Sequence, residues 1–460
     1  MRLKRCDVFI AGAGPAGVVL ALRLRRLGYD VALAAPPSES AHGFETLSPA
    51  AQEQMAIEGL PPVQGRAVDF EIRWGKSTFE PRAAPAQSLV VDRRALHADL
   101  RRRATEAGVS VVDERAEAPQ ATADGWRLQA GPSAFSAGVL VDATGRRGLT
   151  RATGRRGAPL ISLHVVYQGE NLPANARVAA ARDGWIWGAP TPSGGYAISV
   201  FEDPRLGKTE GDPAARVERI VEETGVLDGA ANLSPMQAVA ASDATPCTAA
   251  AFEAAGLFRI GDASLALDPL SSSGVSAALQ SAVDAALAIH TLRSEASANA
   301  MVEAFLERRS QRRAARHAAW TAAFYAEAAA AYTTPFWLAR AQPPPAPPRI
   351  SSPALDDPIG LGMGVQIRSE PCLVRDSIAI RRVVAPPGAA EPVAFIDGIE
   401  IASLFDALPP DTTVRLTLAI WSRQVGEGRA ARLFGWAWRS GWLAPAPQGN
   451  IVSSDAPPLG

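Results

Sequence analysis

The stretch Gly12-Ala13-Gly14-Pro15-Ala16-Gly17 constrains this chain more than any other. It follows CDVFIA, Cys6–Ala11, an apolar run suited to a buried strand, and opens Ala16–Leu27, which reads as a helix ending near Gly28. Val31–Ala34 then reads as the next strand. Strand, glycine turn, helix and strand in that order open a parallel α/β sheet. In this setting G-x-G-x-x-G predicts a dinucleotide site. Gly12 permits the tight turn, Gly14 lets the backbone approach a pyrophosphate, and Gly17 lets the helix pack on the sheet. Pro15 and Ala16 start the helix, whose N-terminus faces the phosphates.

The partner that should complete such a site is out of place. An acidic side chain is expected about 20 residues past the glycines, at the end of the second strand, to bind the adenosine ribose. Ala34 and Ala35 stand there, and Ser38 and Glu39 follow as the nearest substitutes.

Further along, a helix is expected over Arg93–Ala107 and buried strands at Val109–Val112, Gly138–Asp142 and Leu257–Ile260. Between Arg156 and Ala250 the pattern changes to short strand-like runs: Ile161–Tyr167, Arg177–Ala180, Trp185–Trp187, Tyr196–Val200 and Met236–Ala240, with a helix at Ala214–Thr224. These suggest an antiparallel sheet inserted in the α/β domain. Long helices follow at Gly274–Leu292 and Ala298–Ala331. Gln342–Pro348, QPPPAPP, should be a stiff extended linker. Beyond it, strands near Cys372–Val383 and Pro392–Ile396 and helices near Ile399–Leu408, Thr413–Gln424 and Arg429–Arg439 suggest a separate small domain.

Composition excludes several classes. Lys+Arg is 46 and Asp+Glu 47, which argues against a bulk electrostatic nucleic-acid binder. Cys6, Cys247 and Cys372 are far apart and have no C-x-x-C spacing, so neither a disulfide framework nor a zinc ribbon is expected. No histidine, cysteine or carboxylate cluster has metal-ligand spacing. The basic, apolar start is broken by Asp7 and four helix-turn residues, Gly12, Gly14, Pro15 and Gly17, and lacks a cleavage site, unlike a signal peptide. No run approaches the ~20 apolar residues of a membrane span. A cytoplasmic protein without membrane or nucleic-acid partners is expected. Only Lys4, Lys76 and Lys208 are lysines among those 46 basic residues, so any chemistry needing a lysine has few candidates.

Two later segments decide which dinucleotide. Val141-Asp142-Ala143-Thr144-Gly145-Arg146 ends one strand. Arg259-Ile260-Gly261-Asp262-Ala263 ends another, and Asp268-Pro269-Leu270-Ser271-Ser272-Ser273-Gly274 leads into the long helix. With the glycine turn, these motifs make residues 6–330 resemble the flavin-dependent aromatic hydroxylases and halogenases. The resemblance implies one FAD, with Asp262 on the ribityl chain. Pro269 and the backbone of Ser272, Ser273 and Gly274 would lie against the isoalloxazine, and Arg93 near the FAD. It implies an α/β fold: a Rossmann-type FAD-binding domain (1–155 and 251–295) and an inserted antiparallel-sheet substrate domain (156–250). A helical segment (296–341), a Pro-rich linker (342–358) and a small winged-helix-like domain (359–460) would follow. No second strand–glycine–helix unit is evident, so reduction would come from transiently bound NAD(P)H or a separate flavin reductase.

Gly184-Trp185-Ile186-Trp187-Gly188-Ala189-Pro190 is similar to the W-x-W-x-I-P signature of the halogenases. Trp185 and Trp187 alternate and so share a strand face. They either wall a substrate pocket or pack as an aromatic pair in a sheet core. Halogenation in the family needs a lysine ahead of the tryptophan in the stretch around Arg73-Trp74-Gly75-Lys76. Lys76 follows Trp74, and Arg66 lies nearer the expected place. Hydroxylation through a flavin C4a-hydroperoxide, with O2 as co-substrate, is therefore the expectation, and Lys76 reads as a surface charge. Of five histidines, His164 on a substrate-sheet strand and His42 in the loop before Phe44-Glu45-Thr46 are the acid–base candidates.

Arg308, Arg309, Arg312, Arg313 and Arg316 recur at helical spacing and read as a solvated face or an acidic-partner grip. Trp421, Trp436, Trp438 and Trp442 either fill the core of the last domain or form a peptide-docking surface. Halogenase-like motifs without a placed lysine, plus such a domain, resemble a specialised branch that modifies a peptidyl tryptophan during tryptophylquinone biogenesis. A peptide substrate is the expectation. A small-molecule halogenase and a flavin-dependent reductase of polyprenyl or polyketide double bonds are the alternatives.

Overall fold

The computed structural model describes residues 3–37, 43–82, 86–150, 154–205, 211–342, 352–387 and 391–446. Ser38, Glu39, His42 and Lys208, and the 343–351 part of the linker, lie outside the described residues. The chain forms two compact units, Met1–Pro344 with Arg375–Ile378, and Pro345–Val374 with Ala379–Gly460.

The larger unit is built on a Rossmann-type sheet. Strands Leu257–Arg259, Ser133–Asp142, Leu3–Ala11, Val31–Ala34 and Ser110–Val112 run parallel in that spatial order. Each central strand is apolar on both faces because helices cover the sheet. Val8–Ala11 and Val31–Ala34 are fully buried or nearly so. Pro15–Arg26 forms the first helix, and Gly274–Ser294 packs against it. Against the expectation that no run approaches a membrane span, Gly274–Ser294 has the length and composition of one, but its apolar residues, Leu279, Ala282, Ala286 and Ile289 among them, are buried in the protein core.

A second sheet carries the inserted strands. Its order is Ala231–Pro235, Ile161–Glu170, Tyr196–Glu202, Gly184–Pro190, Ala176–Ala181, Phe70–Arg73 and Glu80–Arg82. All neighbours are antiparallel except Ala176–Ala181 beside Phe70–Arg73. Two of its strands thus come from before residue 100. The expected strand at Met236–Ala240 is not formed. Ala231–Pro235 and Ala240–Asp243 both pair with the long Ile161–Glu170 strand, and 236–239 bridges them along one edge. An edge position asks for no buried apolar face, so apolar patterning misplaced the element.

One face of this sheet is apolar. Leu163, Val165, Ile186, Ile198 and Val200 pack on Val217 and Ile220 of helix Pro213–Thr224. The opposite face holds Ser162, His164, Trp185, Trp187, Ser199 and Phe201, as the pairing register requires.

Gln366–Val374 and Ser377–Ala385 form a hairpin whose turn and second-strand start, Arg375–Ile378, group with the larger unit and the rest with the smaller. The single strand expected over Cys372–Val383 is therefore broken, at Arg375, which takes a left-handed φ of 55°. Helices Ile401–Asp406, Val414–Val425 and Glu427–Arg439 surround a core of Ile401, Phe405, Trp421, Leu433, Trp438 and Trp442, with Trp436 partly buried against it. Trp421, Trp438 and Trp442 are therefore core residues, and Trp436 keeps part of its surface exposed.

Candidate active site

Parallel pairing brings the motifs to one edge. Ala11 is level with Ala34 and Asp142, and Asp142 with Arg259. The turns that follow these strands therefore lie side by side at the carboxyl end of the sheet, where open α/β sheets hold ligands.

The glycine turn is locked by close backbone approach. Gly12 has φ +114°, and a Cβ there would lie 2.2 Å from the Ala143 carbonyl oxygen. A Cβ on Gly17 would lie 2.0 Å from the Gly12 oxygen. Gly14 differs: no protein atom lies within 4 Å of a Cβ built there. It is the N-cap of the Pro15–Arg26 helix and gives no side-chain cap. The first-turn N–H groups, Ala16 and Gly17 among them, face that opening without helical partners. Such a cradle fits a pyrophosphate. A second helix start is built alike. Ser272 takes a φ of 47°, Ser273 caps nothing because its hydroxyl donates to Ser271 O at 2.8 Å, and Gly274 has open space at its Cβ position.

Gly261 joins the two helices. A Cβ on it would meet Ala16 Cβ at 3.3 Å and Ala278 Cβ at 3.6 Å, and its N–H donates to Ser281 Oγ. The next residue, Asp262, faces Arg146 Nε at 3.5 Å. Arg146 donates to Thr245 O and Leu267 O as well. Sequence alone gives the arginine of the D-A-T-G-R turn no role, because reach across three loops leaves no mark in local sequence. Asp142, fully buried, pins that turn by accepting from Thr144, Leu149 and Thr150.

Arg93 stands at the head of helix Arg93–Glu106, capped by Asp92. Its Nε is 3.8 Å from Glu45 Oε2 on strand Phe44–Leu47. Burial raises the carboxyls of Asp262 and Glu45 above their ordinary values. Arg146 and Arg93 draw Asp262 back, and Arg93 draws Glu45 back while Asp262 pushes it up. Asp262 nonetheless keeps 39% of its side-chain surface, so it sits in a recess that is still open. Arg93 also acts on His164, whose ring burial, chiefly, and then Arg93 hold down at about 4. Arg93 thus lies near both the strand-end turns and the sheet face that holds His164.

The two signature tryptophans part company. Trp185 is 3% exposed and stacks on Phe201 at 3.9 Å. It belongs to an aromatic core with Trp74, Tyr325, Phe336 and Trp337. Trp187 remains partly exposed, near Phe44 and Val90. Trp187 also packs against that core, but of the two it alone keeps appreciable exposed surface. Pro269 opens a short turn headed by Asp268, whose carboxylate accepts from Tyr325 Oη at 3.1 Å. A groove of about 1220 Å³ ends on Asp268 and Tyr325, between Gly154–Arg156, Cys247–Ala249 and the helix Asn299–Ala329. None of Gly14, Arg93, His164 or Asp262 lines it, so the groove adjoins the motif cluster but is not the cluster.

Lys76, on a surface loop, is half exposed and bonds Glu80 of strand Glu80–Arg82 at 2.5 Å. Lys4 lies over Phe135 in the first strand. Among the described residues no lysine joins the Arg93–Asp262 cluster. Arg309, with 28% of its side-chain surface exposed, and the buried Arg313 both bind Asp284 of the neighbouring helix. The place of the missing ribose carboxylate is flanked by Asp113. Ala34 pairs with Val112, Ala35 N donates to Val112 O, and Asp113 follows, in an ion pair with Arg101, which also donates to Pro36 O.

The tryptophan halogenase family model matches residues 73–351, more than half of the chain. No curated protein sequence matches. Among solved structures, the peptidyl tryptophan dihydroxylase QhpG, essential for tryptophylquinone cofactor biogenesis, is similar with a TM-score of 0.77 and 24% identity, over 95% of this chain and 99% of its own. The flavin-dependent halogenase CmlS has a TM-score of 0.77 and 17% identity, over 97% of both chains. The chondrochloren halogenase CndH has a TM-score of 0.62 and 22% identity, over 74% of this chain and 86% of its own. At these identities the structures show a shared fold. The family match goes further: this chain belongs to the tryptophan halogenase family of flavin-dependent oxidoreductases.

Proposed function

We propose that the protein is an FAD-dependent monooxygenase that hydroxylates an indole ring, in a tryptophan side chain of a peptide or protein during quinone cofactor biogenesis. The observation that carries it is the lysine. In halogenases a lysine delivers the halogen, and here the one in the matching stretch is tied to Glu80 on the surface. The full-length likeness to a protein described as a peptidyl tryptophan dihydroxylase supports the substrate class.

The residues suit the cofactor. Gly14 and the first helix N–H groups would hold the pyrophosphate. Asp113, steadied by Arg101, would take the ribose hydroxyls in place of an acid at Ala34 or Ala35. Asp262 would accept from the ribityl chain while Arg146 fixes its loop. The open start of the Gly274–Ser294 helix would stabilise negative charge on the ring system. FAD, once reduced by NAD(P)H or a partner reductase, supplies the electrons with which O2 is activated. Trp187 and the apolar side chains around it exclude water from the acceptor ring.

Halogenation of a small aromatic is the second reading, favoured by the family match itself. Oxygen uptake with a single-tryptophan peptide and with free tryptophan, each with and without halide, separates the two. Peptide-dependent, halide-independent uptake with oxygenated product supports hydroxylation; halide-dependent product overturns it.

A further inference from the structure

The face of the substrate sheet that looks toward Arg93 buries a polar chain that packing alone does not require. Trp187 pairs with Ser199, and Ser199 with His164, on three adjacent strands. His164 Nδ1 is 2.8 Å from Ser199 Oγ, and His164 Nε2 is 2.8 Å from Ser162 Oγ. Ser199 is 8% exposed and Ser162 3%. His164 is half-buried between them. Withdrawing two hydroxyls and much of an imidazole from water is costly unless each is bonded, and here each is. Ser162 Oγ also reaches Ser242 O at 3.4 Å, on the exposed edge strand Ala240–Asp243. The chain thus runs from beside Trp187 to the solvent edge of the sheet.

Its chemistry follows from the ring's charge. Burial, then Arg93, keeps His164 neutral at physiological pH. A neutral imidazole bonded at both nitrogens donates from one and accepts at the other. A proton taken up at one nitrogen is matched by a proton released from the other. The ring therefore passes a proton on without storing a charge, which the neighbouring Arg93 guanidinium would oppose.

We propose that Ser199, His164 and Ser162 form a proton relay serving the hydroxylation: Ser199 meets the substrate ring beside Trp187, and His164 and Ser162 carry its proton to the Ala240–Asp243 edge. This rests on the monooxygenase assignment above. In the overall reaction one ring C–H bond breaks and one C–O bond forms. The second oxygen of O2 leaves as water, using the two electrons of the reduced flavin. The relay moves only the proton released from the ring: substrate to Ser199 Oγ, the Ser199 proton to His164 Nδ1, the Nε2 proton to Ser162 Oγ, and the Ser162 proton to water at the Ala240–Asp243 edge, where Ser242 O orients the hydroxyl. No electrons move along it. Ser199 is the catalytic member, and His164 acts through it as a positioning residue.

The test uses the full-length, FAD-loaded protein, a synthetic peptide with one tryptophan, and the variants His164→Gln and Ser199→Ala. Both should keep the flavin spectrum and the peptide KM, since neither removes an apolar contact. Product formation should slow about a hundredfold, the usual weight of a proton-transfer group. The solvent deuterium isotope effect of the wild type should disappear in both variants. In the wild type, the 15N signals absent from the His164→Gln spectrum should report a neutral ring from about pH 5 to 8. Variants within about twofold of wild-type kcat, a loss confined to KM, or a His164 ring that charges within that pH range overturns the relay while leaving the monooxygenase assignment standing. A wild type that oxygenates no tryptophan peptide overturns both.

Discussion

The carbonyl oxygen of Ala143 stands 2.2 Å from where a Cβ on Gly12 would be, so the first and second FAD motifs are pressed backbone to backbone. Gly12→Ala would have to part the two strand ends from a φ of +114° that alanine rarely adopts. It should destabilise the fold by about 3 kcal/mol, seen as a lowered Tm of the flavin-free protein. Gly14→Val is the contrast. Open space surrounds its Cβ position, so the flavin-free Tm should change little while the flavin spectrum is lost. Full FAD occupancy in Gly14→Val would remove the pyrophosphate from this turn.

Asp262 yields a pH-dependent prediction. Its carboxyl lies above its ordinary value because burial outweighs Arg146 and Arg93. The folded state therefore binds this proton more tightly than the unfolded state does. Stability from this group is complete below the ordinary carboxylate range and is lost as pH rises through the raised value. Asp262→Asn should raise the flavin-free Tm by roughly 2 °C at neutral pH and leave it unchanged near pH 4. The same variant should weaken FAD binding about tenfold, through one lost charged acceptor. An equal Tm change at both pH values would show that the effect is not ionic.

Lys76→Ala should leave product formation within about twofold of wild type, because an exposed pair such as Lys76–Glu80 contributes little. Product analysis across a halide series checks this. Halide-dependent product lost in the variant would return Lys76 to the active site.

Trp421 is 1% exposed, donates from Nε1 to Leu404 O at 2.8 Å, and packs on Phe405. Trp421→Ala should cost the smaller unit about 3–5 kcal/mol. Limited proteolysis should then cut within 359–446 while the flavin spectrum persists. A variant that resists proteolysis like wild type would place this ring outside the core.

What the sequence disclosed and what it hid divide along physical lines. Buried parallel strands read as apolar blocks, and caps and glycines mark helix ends, so Val31–Ala34 and Gly274–Ser294 were legible almost to the residue. The glycine turn was legible because a tight turn and close backbone approach at Gly12 and Gly17 require glycine at fixed spacing. Edge strands such as Ala231–Pro235 were not, since half their surface is solvent. Trp185 and Trp187 alternate identically in sequence, and only the tertiary partners Phe201, Trp74 and Trp337 sort the packed one from the partly open one. Arg146 and Asp113 gain their positions from strands distant in sequence, and the His164 chain joins residues 162, 164 and 199 across a strand pair. Contacts of that kind leave no local periodicity.

The decisive experiment is intact mass of a single-tryptophan peptide after turnover under 18O2, with reductant, FAD-loaded protein and excess chloride or bromide present. The monooxygenase assignment predicts that the peptide gains oxygen atoms derived from 18O2, on the tryptophan ring, at a rate independent of halide. A product carrying halogen, or oxygen derived only from water, would contradict it.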